Sequence, residues 1–195
     1  MQVLSRAPMA LFTGKGDDGS TKLFDSGPGQ RASKASSIFE CLGMLDELNT
    51  LVGWCKVECQ DEFVTQGRSV KILLHDVQDH LFTLQAEVAG APKSIALSSV
   101  EALGVLINRI EAEMPPIKTF LVPGGTELSS RLDIARAVAR RAERRLVTLH
   151  ESGERVVSES SRAYANRLSS LLYALTRLAN HRAGVIEEPP QYKGK

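Results

Sequence analysis

The chain has 195 residues, of which 43% are hydrophobic, and a formal net charge of +1 at neutral pH. This length and composition indicate one globular domain, 1–195, with a substantial core. The near-zero charge argues against a general nucleic-acid coat protein, and no apolar run is long enough to span a bilayer.

Residues 1–33 are rich in Gly, Ser, Asp and Pro and show little periodicity, which predicts a loop-rich arm with short extended pieces. The opening MQVLSRAPMALFTG lacks the long apolar stretch of a signal peptide. It also lacks the Arg- and Ser-rich pattern of an organelle transit peptide. We therefore expect a cytoplasmic protein.

A glycine loop, TGKGDDGST at 13–21, matches G-x-G-x-x-G by letter. No βαβ unit follows it, and no lysine stands between Gly19 and the hydroxyl residues after it, so a dinucleotide-binding fold and a Walker A loop are both excluded. Glycines still permit backbone N–H groups to turn toward an anion, and Lys15 and Lys34 offer positive charge. Taken alone, the loop is equally typical of a surface turn.

Apolar residues recur at helical spacing after the arm and predict five helices. The predicted ranges are 35–60, 68–89, 98–113, 127–151 and 156–184. The third ends where Pro115 and Pro116 cannot continue a helix, and residues 185–195 are predicted to form a loose tail. Five helices with short links indicate an all-α fold, an antiparallel five-helix bundle.

Three cysteines, Cys41, Cys55 and Cys59, fall within the helical pattern. An odd number of cysteines at such positions is typical of reduced core thiols in a cytosolic protein. The four histidines are scattered along the chain, so no metal site made by the protein alone is predicted.

The fourth predicted helix carries six arginines between residues 131 and 147. At about 100° per residue, its small and apolar side chains share one face that another helix could approach closely. Arg136, Arg140 and Arg144 form a row beside that face, whereas Arg141 and Arg145 point further round, toward solvent or a partner. The apolar face consists of Leu132, Ala135, Ala139, Ala142 and Leu146.

Two interpretations of the arginine row stay open, a solvated charged face and an anion site. Like charges at i, i+4 repel on a free helix, which favours an anionic partner. Guanidinium groups bind phosphate oxygens through paired hydrogen bonds, and Glu143 is expected to tether Arg140. Together with the glycine loop, the row suggests a nucleoside-triphosphate site on a helical bundle.

Seven motifs follow one another in order over roughly residues 11–180. They are TGKGDDGST at 13–21, RASK at 31–34, FECLGMLDELN at 39–49, VQDHLFTLQAEVA at 77–89, FLVPGGT at 120–126, ARAVARRAERR at 135–145 and NRLS at 166–169. In these motifs the chain resembles the PduO-type ATP:cob(I)alamin adenosyltransferases.

The resemblance implies a homotrimer of five-helix bundles that binds ATP between subunits, through the N-terminal arm and the arginine helix. The cobalt of cob(I)alamin would attack the ribose 5′ carbon of ATP, giving adenosylcobalamin and triphosphate. Mg²⁺ would assist, bound mainly through the ATP phosphates. A reductase and an adenosylcobalamin-dependent enzyme are the partners implied, and neither nucleic acid nor membrane is expected.

The resemblance also assigns residues. Asp46 would pair across the subunit interface with Arg136, Phe120 would occupy the lower axial face of the corrin, and Arg140 would complete the catalytic set. The residues matching ATP-binding positions are Thr13, Gly14, Lys15, Gly16, Thr21, Lys22, Lys34, Arg140, Arg141, Glu143, Arg144 and Asn166.

The chain departs from the family pattern at a few positions. Asp133 replaces a usual His, Ser170 a usual Asp and Tyr173 a usual Phe, and the segment 25–30 is longer than common. Asp133 and Ser170 fall near the expected corrin, which motivates an alternative, a non-catalytic ATP or corrinoid carrier or sensor. A helical module that binds RNA or an acidic protein is a further alternative, although an aromatic content of 5% offers little for base stacking.

Overall fold

The computed structural model describes residues 11–192, so the predictions for residues 1–10 of the arm and 193–195 of the tail lie outside the described residues. Five helices and two short antiparallel strand pairs are present in that range. The helices are α1 (Ser37–Glu58), α2 (Val70–Val88), α3 (Leu97–Glu111), α4 (Glu127–Glu151) and α5 (Glu159–Arg182). The strands are β1 (Ser20–Thr21) paired with β2 (Ala32–Ser33), and β3 (Val64–Thr65) paired with β4 (Arg68–Ser69).

The predicted all-α fold is confirmed, and each helix boundary lies within three residues of its predicted position. The β3–β4 hairpin was not predicted. Its turn consists of Gln66 and Gly67, with φ of 50° and 72°, which is the positive-φ geometry that lets a two-residue turn join twisted strands.

Helix α4 lies between α1 and α5, while α2 packs on α1 and α3 packs on α5. The predicted apolar face of α4 is confirmed, since each of its side chains is at most 2% exposed. Three alanines on this face let the neighbouring helices approach closely. The residues are Leu132, Ala135, Ala139, Ala142 and Leu146.

The start of α4 is fixed by a capping box. The Thr126 side chain accepts a hydrogen bond from the Ser129 N–H at 3.0 Å, and the Ser129 hydroxyl bonds back to Thr126. Such caps satisfy N–H groups that the first helical turn leaves free and contribute about 1 kcal/mol. They therefore define where the arginine helix begins.

The tail prediction is wrong for part of the segment 185–192. The Glu187 carboxylate accepts hydrogen bonds from Arg177 and Asn180, and the Glu188 carbonyl accepts one from the Val122 N–H at 2.9 Å. A polar sequence alone did not reveal that Glu187 has buried partners on α5 or that Glu188 bonds to the segment before α4.

The three cysteines are free and buried, as predicted. Burial raises the pKa of the Cys41 thiol to about 12, so it stays protonated at neutral pH. Within residues 11–192 no three His, Cys, Asp or Glu side chains come together in a group that could hold a metal ion. None of the helices described is both long and apolar enough to cross a membrane.

A buried carboxylate joins the end of α2 to the start of α5. Glu87, 9% exposed, accepts hydrogen bonds from the Ser158 N–H at 2.7 Å and from the Ser161 hydroxyl. The negative charge also lies at the N-terminus of α5, where the helix dipole favours it. This contact fixes the position of the start of α5, a helix that also lines the candidate site.

We expect Glu87→Ala to lower the free energy of unfolding by about 2–3 kcal/mol, because it leaves buried donors of α5 without their charged acceptor. Urea denaturation measures this. Glu101→Ala, at an exposed position of α3, is the matched control and should change stability by less than about 0.5 kcal/mol. Equal small effects in both variants would contradict a structural role for Glu87.

Candidate active site

Two open clefts meet at Arg140 on the outer side of α4 and α5. The larger, which we call the Phe120 cleft, has a volume of about 810 Å³ and is lined by Ile117, Lys118, Thr119, Phe120, Leu121, Arg136, Arg140, Ser169, Ser170 and Tyr173. The smaller, which we call the arginine cleft, has a volume of about 430 Å³ and is lined by Arg140, Glu143, Arg144, Val147, Thr148 and Asn166. Because Arg140 lines both, ligands in the two clefts would meet at one side chain.

Four of the six α4 arginines have acidic partners within the chain. Arg131 bonds to Glu58 and Glu127, and its guanidinium also lies 4.3 Å from the Trp54 ring centroid. Arg136 donates to Asp133 at 2.8 Å. The last two pairs join α4 to α1, Arg141 with Glu47 at 3.0 Å and Arg145 with Glu40 at 3.6 Å.

Arg141 and Arg145 therefore lie beside acids of α1 while their side chains stay 47% and 52% exposed, which agrees with the expectation that they point toward solvent or a partner. Sequence spacing gave their angle around α4 but not the acids that α1 places beside them. Arg141 also contacts the Met44 sulfur at 3.0 Å. The role of Arg141 in ATP binding stays a prediction. In the structure its guanidinium is already paired with the Glu47 carboxylate.

Arg140 and Arg144 are exposed, and neither has an ion pair among residues 11–192. Both line the arginine cleft. An uncompensated pair of guanidinium groups one helical turn apart is a favourable place for a polyanion. The sequence row of three arginines is thus reduced by the fold to two available cations.

Glu143 does not tether Arg140, contrary to the sequence prediction. Its carboxylate instead accepts a hydrogen bond from the Asn166 side chain of α5 at 2.7 Å. Glu143 lies on the edge of α4 that faces α5, where the Asn166 amide is its hydrogen-bond partner. The predicted residues Glu143 and Asn166 are brought together, in the same cleft as Arg140 and Arg144.

The Phe120 cleft presents an aromatic side chain to solvent. Phe120 is 80% exposed on the segment between α3 and α4, so it is not a core phenylalanine. Across the cleft, the Arg136 guanidinium lies 5.6 Å from the Tyr173 ring centroid, and burial raises the pKa of the Tyr173 phenol. Ser170 lines the same cleft and is exposed.

Asp133, one of the departures from the family pattern, is 9% exposed and paired with Arg136. Asp46 is exposed on α1 and forms no ion pair within the described range. A pair between Asp46 and the Arg136 of another subunit stays a prediction. In one chain, Arg136 has Asp133 as its partner.

The glycine loop of the arm is closed by the arm's own cations. The Lys34 ammonium donates to the Gly16 carbonyl at 2.8 Å, and Arg31 donates to the carbonyls of Lys15 and Ser20 at 2.6 and 2.7 Å. A Cβ at Gly16 would lie 2.9 Å from the Lys34 nitrogen. Arg31, which opens the RASK motif beside Lys34, was not among the predicted site residues, although it also holds this loop.

The predicted arm residues lie along this closed loop and its first strand. Thr13, Gly14, Lys15 and Lys22 are exposed, whereas Gly16 and Thr21 are half-buried. No hydrogen bond or ion pair joins residues 13–22 to α4 in the part of the chain that is described. The structure of one chain thus shows no polar contact between the two halves of the predicted site within the described residues.

The arm is attached to the opposite end of α4 from the Phe120 cleft. Asp25 accepts from Arg155, just beyond α4, at 2.6 and 3.2 Å, and this bond lowers the pKa of the Asp25 carboxyl. The Phe24 N–H donates to the Ala89 carbonyl at 2.8 Å. A Cβ at Gly90 would lie 2.3 Å from the Asp25 carboxyl carbon, so only glycine permits this close approach.

Comparisons with known proteins show which family the chain resembles. The model of the cobalamin adenosyltransferase family matches residues 11–179. The corrinoid adenosyltransferase PduO of Salmonella typhimurium is 41% identical over 190 residues, covering 92% of this chain and 53% of the relative. The corrinoid adenosyltransferase of Bacillus subtilis is 35% identical over 181 residues, covering 91% of this chain and 90% of the relative.

The chain spans about half the length of the two PduO relatives, 53% of the Salmonella protein and 51% of the Citrobacter freundii protein. Among solved structures, a variant PduO-type ATP:corrinoid adenosyltransferase from Lactobacillus reuteri complexed with cobalamin and ATP superposes with a TM-score of 0.80. It is 26% identical, and the match covers 95% of this chain and 100% of that one.

Proposed function

The chain belongs to the cobalamin adenosyltransferase family, and we propose that it transfers the 5′-deoxyadenosyl group of ATP to the cobalt of cob(I)alamin. The observation that carries the proposal is the junction of two clefts at Arg140. One cleft offers free guanidinium groups for a triphosphate, and the other offers an exposed aromatic wall for a flat apolar ring. Two reacting molecules placed there would meet at Arg140.

The arginine cleft suits the triphosphate of ATP. Arg140 and Arg144 lack acidic partners within the described range, and guanidinium groups bind phosphate oxygens in a bidentate manner. Glu143 and Asn166, fixed on one another at 2.7 Å, add a carboxylate and an amide for the polar groups of the nucleoside. The proposed ATP site also includes the arm residues Thr13 to Gly16, Thr21, Lys22, Lys34 and, on α4, Arg141.

The lack of polar contacts between the arm and the arginine cleft supports a site formed between subunits. Within the described range, residues 13–22 form no hydrogen bond or ion pair with α4 of their own chain, and in our proposal they contact the arginine cleft of a neighbouring copy. Asp46, exposed on α1, would join the same interface by pairing with Arg136 of the neighbour. A homotrimer closes such a head-to-tail contact into a ring.

The Phe120 cleft suits the corrin. Its volume of about 810 Å³ falls within the range of small-molecule sites, and Phe120 projects into it from an exposed position. Cobalt(II) is hard to reduce while a lower axial ligand is bound to it. An apolar ring against the lower face would exclude that ligand and favour the reactive cobalt(I) state.

The proposed chemistry is a substitution at carbon. The cobalt of cob(I)alamin supplies an electron pair to the ribose 5′ carbon, a cobalt–carbon bond forms, and the bond from that carbon to the triphosphate oxygen breaks. Triphosphate leaves with the bonding pair, so negative charge grows on the leaving group. Arg140 and Arg144 stabilise that charge and lower the barrier.

Mg²⁺, when bound, would add positive charge at the phosphates. In our proposal this ion is held mainly through the ATP phosphates, as is usual for Mg²⁺ at nucleotide sites. A reductase that supplies cob(I)alamin and an enzyme that uses adenosylcobalamin complete the proposed partners.

A carrier or sensor of the same fold is the second candidate, motivated by Asp133 and Ser170. The structure weakens this motive, because Asp133 is paired with Arg136 and brings no unpaired charge into the corrin cleft. The relatives named above are also enzymes by name. We therefore favour catalysis.

The decisive test is anaerobic absorbance spectroscopy of chemically reduced cob(I)alamin with ATP, Mg²⁺ and the purified protein. We expect loss of the cob(I)alamin band and formation of a light-sensitive alkylcobalamin. ATP binding by calorimetry without any spectral change would instead support the carrier or sensor.

Arg140→Ala should lower kcat/KM for ATP by about 100-fold, because a preorganised cation at the leaving group is lost. Arg145→Ala is the matched control: it removes an arginine of the same helix that faces Glu40 rather than the cleft. Steady-state kinetics should show at most about a twofold change for the control, since an exposed ion pair contributes little. Unchanged kinetics in Arg140→Ala would refute the role of Arg140.

Phe120→Ala should slow adenosylation from cob(II)alamin plus reductant about tenfold more than adenosylation from pre-reduced cob(I)alamin, equivalent to about 1.4 kcal/mol. The physical reason is that, without the Phe120 ring, a lower axial ligand can bind cobalt(II) again and hinder its reduction to cobalt(I). Phe82→Ala, an exposed phenylalanine on α2, should leave both rates unchanged. Equal losses from the two starting states would exclude the axial-ligand explanation.

A further inference from the structure

The segment that carries Phe120 buries little of its own apolar side-chain surface. Residues 115–126, which we call the Phe120 segment, contain no helix or strand. Three of its apolar side chains, Ile117, Phe120 and Val122, are 39%, 80% and 52% exposed. Burial of apolar surface therefore does little to fix this wall of the cleft, and other contacts must do so.

Hydrogen bonds to α5 and to the C-terminal tail hold the segment at its start and its middle. Arg177 donates to the Pro115 carbonyl at 3.1 Å, and the Val122 N–H donates to the Glu188 carbonyl at 2.9 Å. Val122 is two residues from Phe120. The backbone that carries the aromatic ring is thus linked to the tail backbone two residues away.

The end of the segment is held by one buried amide. The Asn180 side chain, 2% exposed, donates to the Gly124 carbonyl at 3.0 Å and accepts from the Thr126 N–H at 3.2 Å. A Cβ at Gly125 would lie 2.2 Å from the Asn180 oxygen, and the φ of Gly125 is +135°. The P-G-G-T turn is therefore fitted against Asn180 and needs glycine at that position.

Glu187 links Arg177 and Asn180, the two α5 side chains that hold the start and the end of the Phe120 segment. One carboxylate oxygen accepts from the Arg177 Nε at 3.0 Å, and the other accepts from the Asn180 Nδ2 at 3.1 Å. Arg177 is 7% exposed, and Glu187 is its ion-pair partner within residues 11–192. Removing the carboxylate would leave a buried guanidinium without its counter-charge and free the Asn180 amide to turn.

We propose that Glu187 is a positioning residue for the proposed reaction: through Arg177 and Asn180 it holds the Phe120 segment in the conformation that places Phe120 in the cleft. This rests on the proposed function, because the consequence for catalysis runs through Phe120. Glu187 does not line the arginine cleft, so its effect falls on the corrin side of the reaction and not on ATP.

The first experiment measures the positioning itself, without reference to activity. Amide hydrogen exchange of the Val122 N–H is compared between the wild-type protein, Glu187→Gln and Glu188→Gln. Glu188→Gln is the matched control, because only the backbone carbonyl of Glu188 bonds to the segment and its side chain is exposed. We expect exchange at Val122 to rise about tenfold in Glu187→Gln, the scale of one charge-assisted hydrogen bond, and to stay unchanged in the control.

Should Glu187→Gln fail to fold in thermal unfolding, Glu187→Asp serves in its place. It keeps the charge that Arg177 needs but withdraws the carboxylate from Asn180, and the same rise in exchange is expected. Unchanged exchange at Val122 in the folded variant, or an equal rise in Glu188→Gln, would overturn the positioning role.

The second experiment links Glu187 to Phe120. In Glu187→Gln we expect the rate from cob(II)alamin to fall about tenfold more than the rate from cob(I)alamin, with the KM for ATP unchanged. In the double variant with Phe120→Ala, Glu187→Gln should cause no further loss, because both act through one ring. Additive losses, or a raised KM for ATP, would refute this link.

The two experiments separate the inference from the function on which it rests. If the wild-type protein does not adenosylate cob(I)alamin, the proposed function fails while the exchange result still decides whether Glu187 positions the segment. If the wild-type protein is active and the exchange at Val122 is unchanged, the inference fails and the function stands.

Discussion

Charge pairing between α1 and α4 is the interaction on which the candidate site depends. A helix with six arginines is unfavourable by itself, because neighbouring like charges repel. Acids at Glu40, Glu47 and Glu58 of α1 compensate three of them. Asp133 compensates a fourth, and the two α4 arginines without an ion pair among residues 11–192, Arg140 and Arg144, line the arginine cleft with Asn166 of α5. The pairing therefore selects which arginines are available to a ligand.

The alanine face of α4 makes this selection possible. Because Ala135, Ala139 and Ala142 are small, α1 and α5 can both pack closely on α4 and bring their side chains beside its arginines. Close packing places Asn166 within hydrogen-bond distance of Glu143 on one side and Glu47 within reach of Arg141 on the other. The same helix thus supplies the core and the site.

The junction at Arg140 gives the proposed reaction its geometry. In the proposed reaction, a nucleophile in the Phe120 cleft and a polyanionic leaving group in the arginine cleft would both lie beside the Arg140 side chain, which lines the two clefts. Holding two reactants in such an arrangement contributes to catalysis by itself, because the loss of their freedom is paid on binding. In our proposal the hydrogen-bond network of Arg177, Asn180 and Glu187 contributes in the same way, by holding the Phe120 segment in place.

The sequence by itself determined the helices, the apolar face of α4 and the core thiols, because these follow from the periodicity of neighbouring residues. Its ordered motifs also identified the family. Only the tertiary structure decided that Glu143 pairs with Asn166, that Arg141 and Arg145 face α1, and that Glu187 in the tail is bound to α5. Each of these contacts joins residues on different elements, and the partner of a side chain depends on how elements pack. Periodicity fixes which face a residue occupies on its own helix, whereas the charge that meets it there is set by the fold.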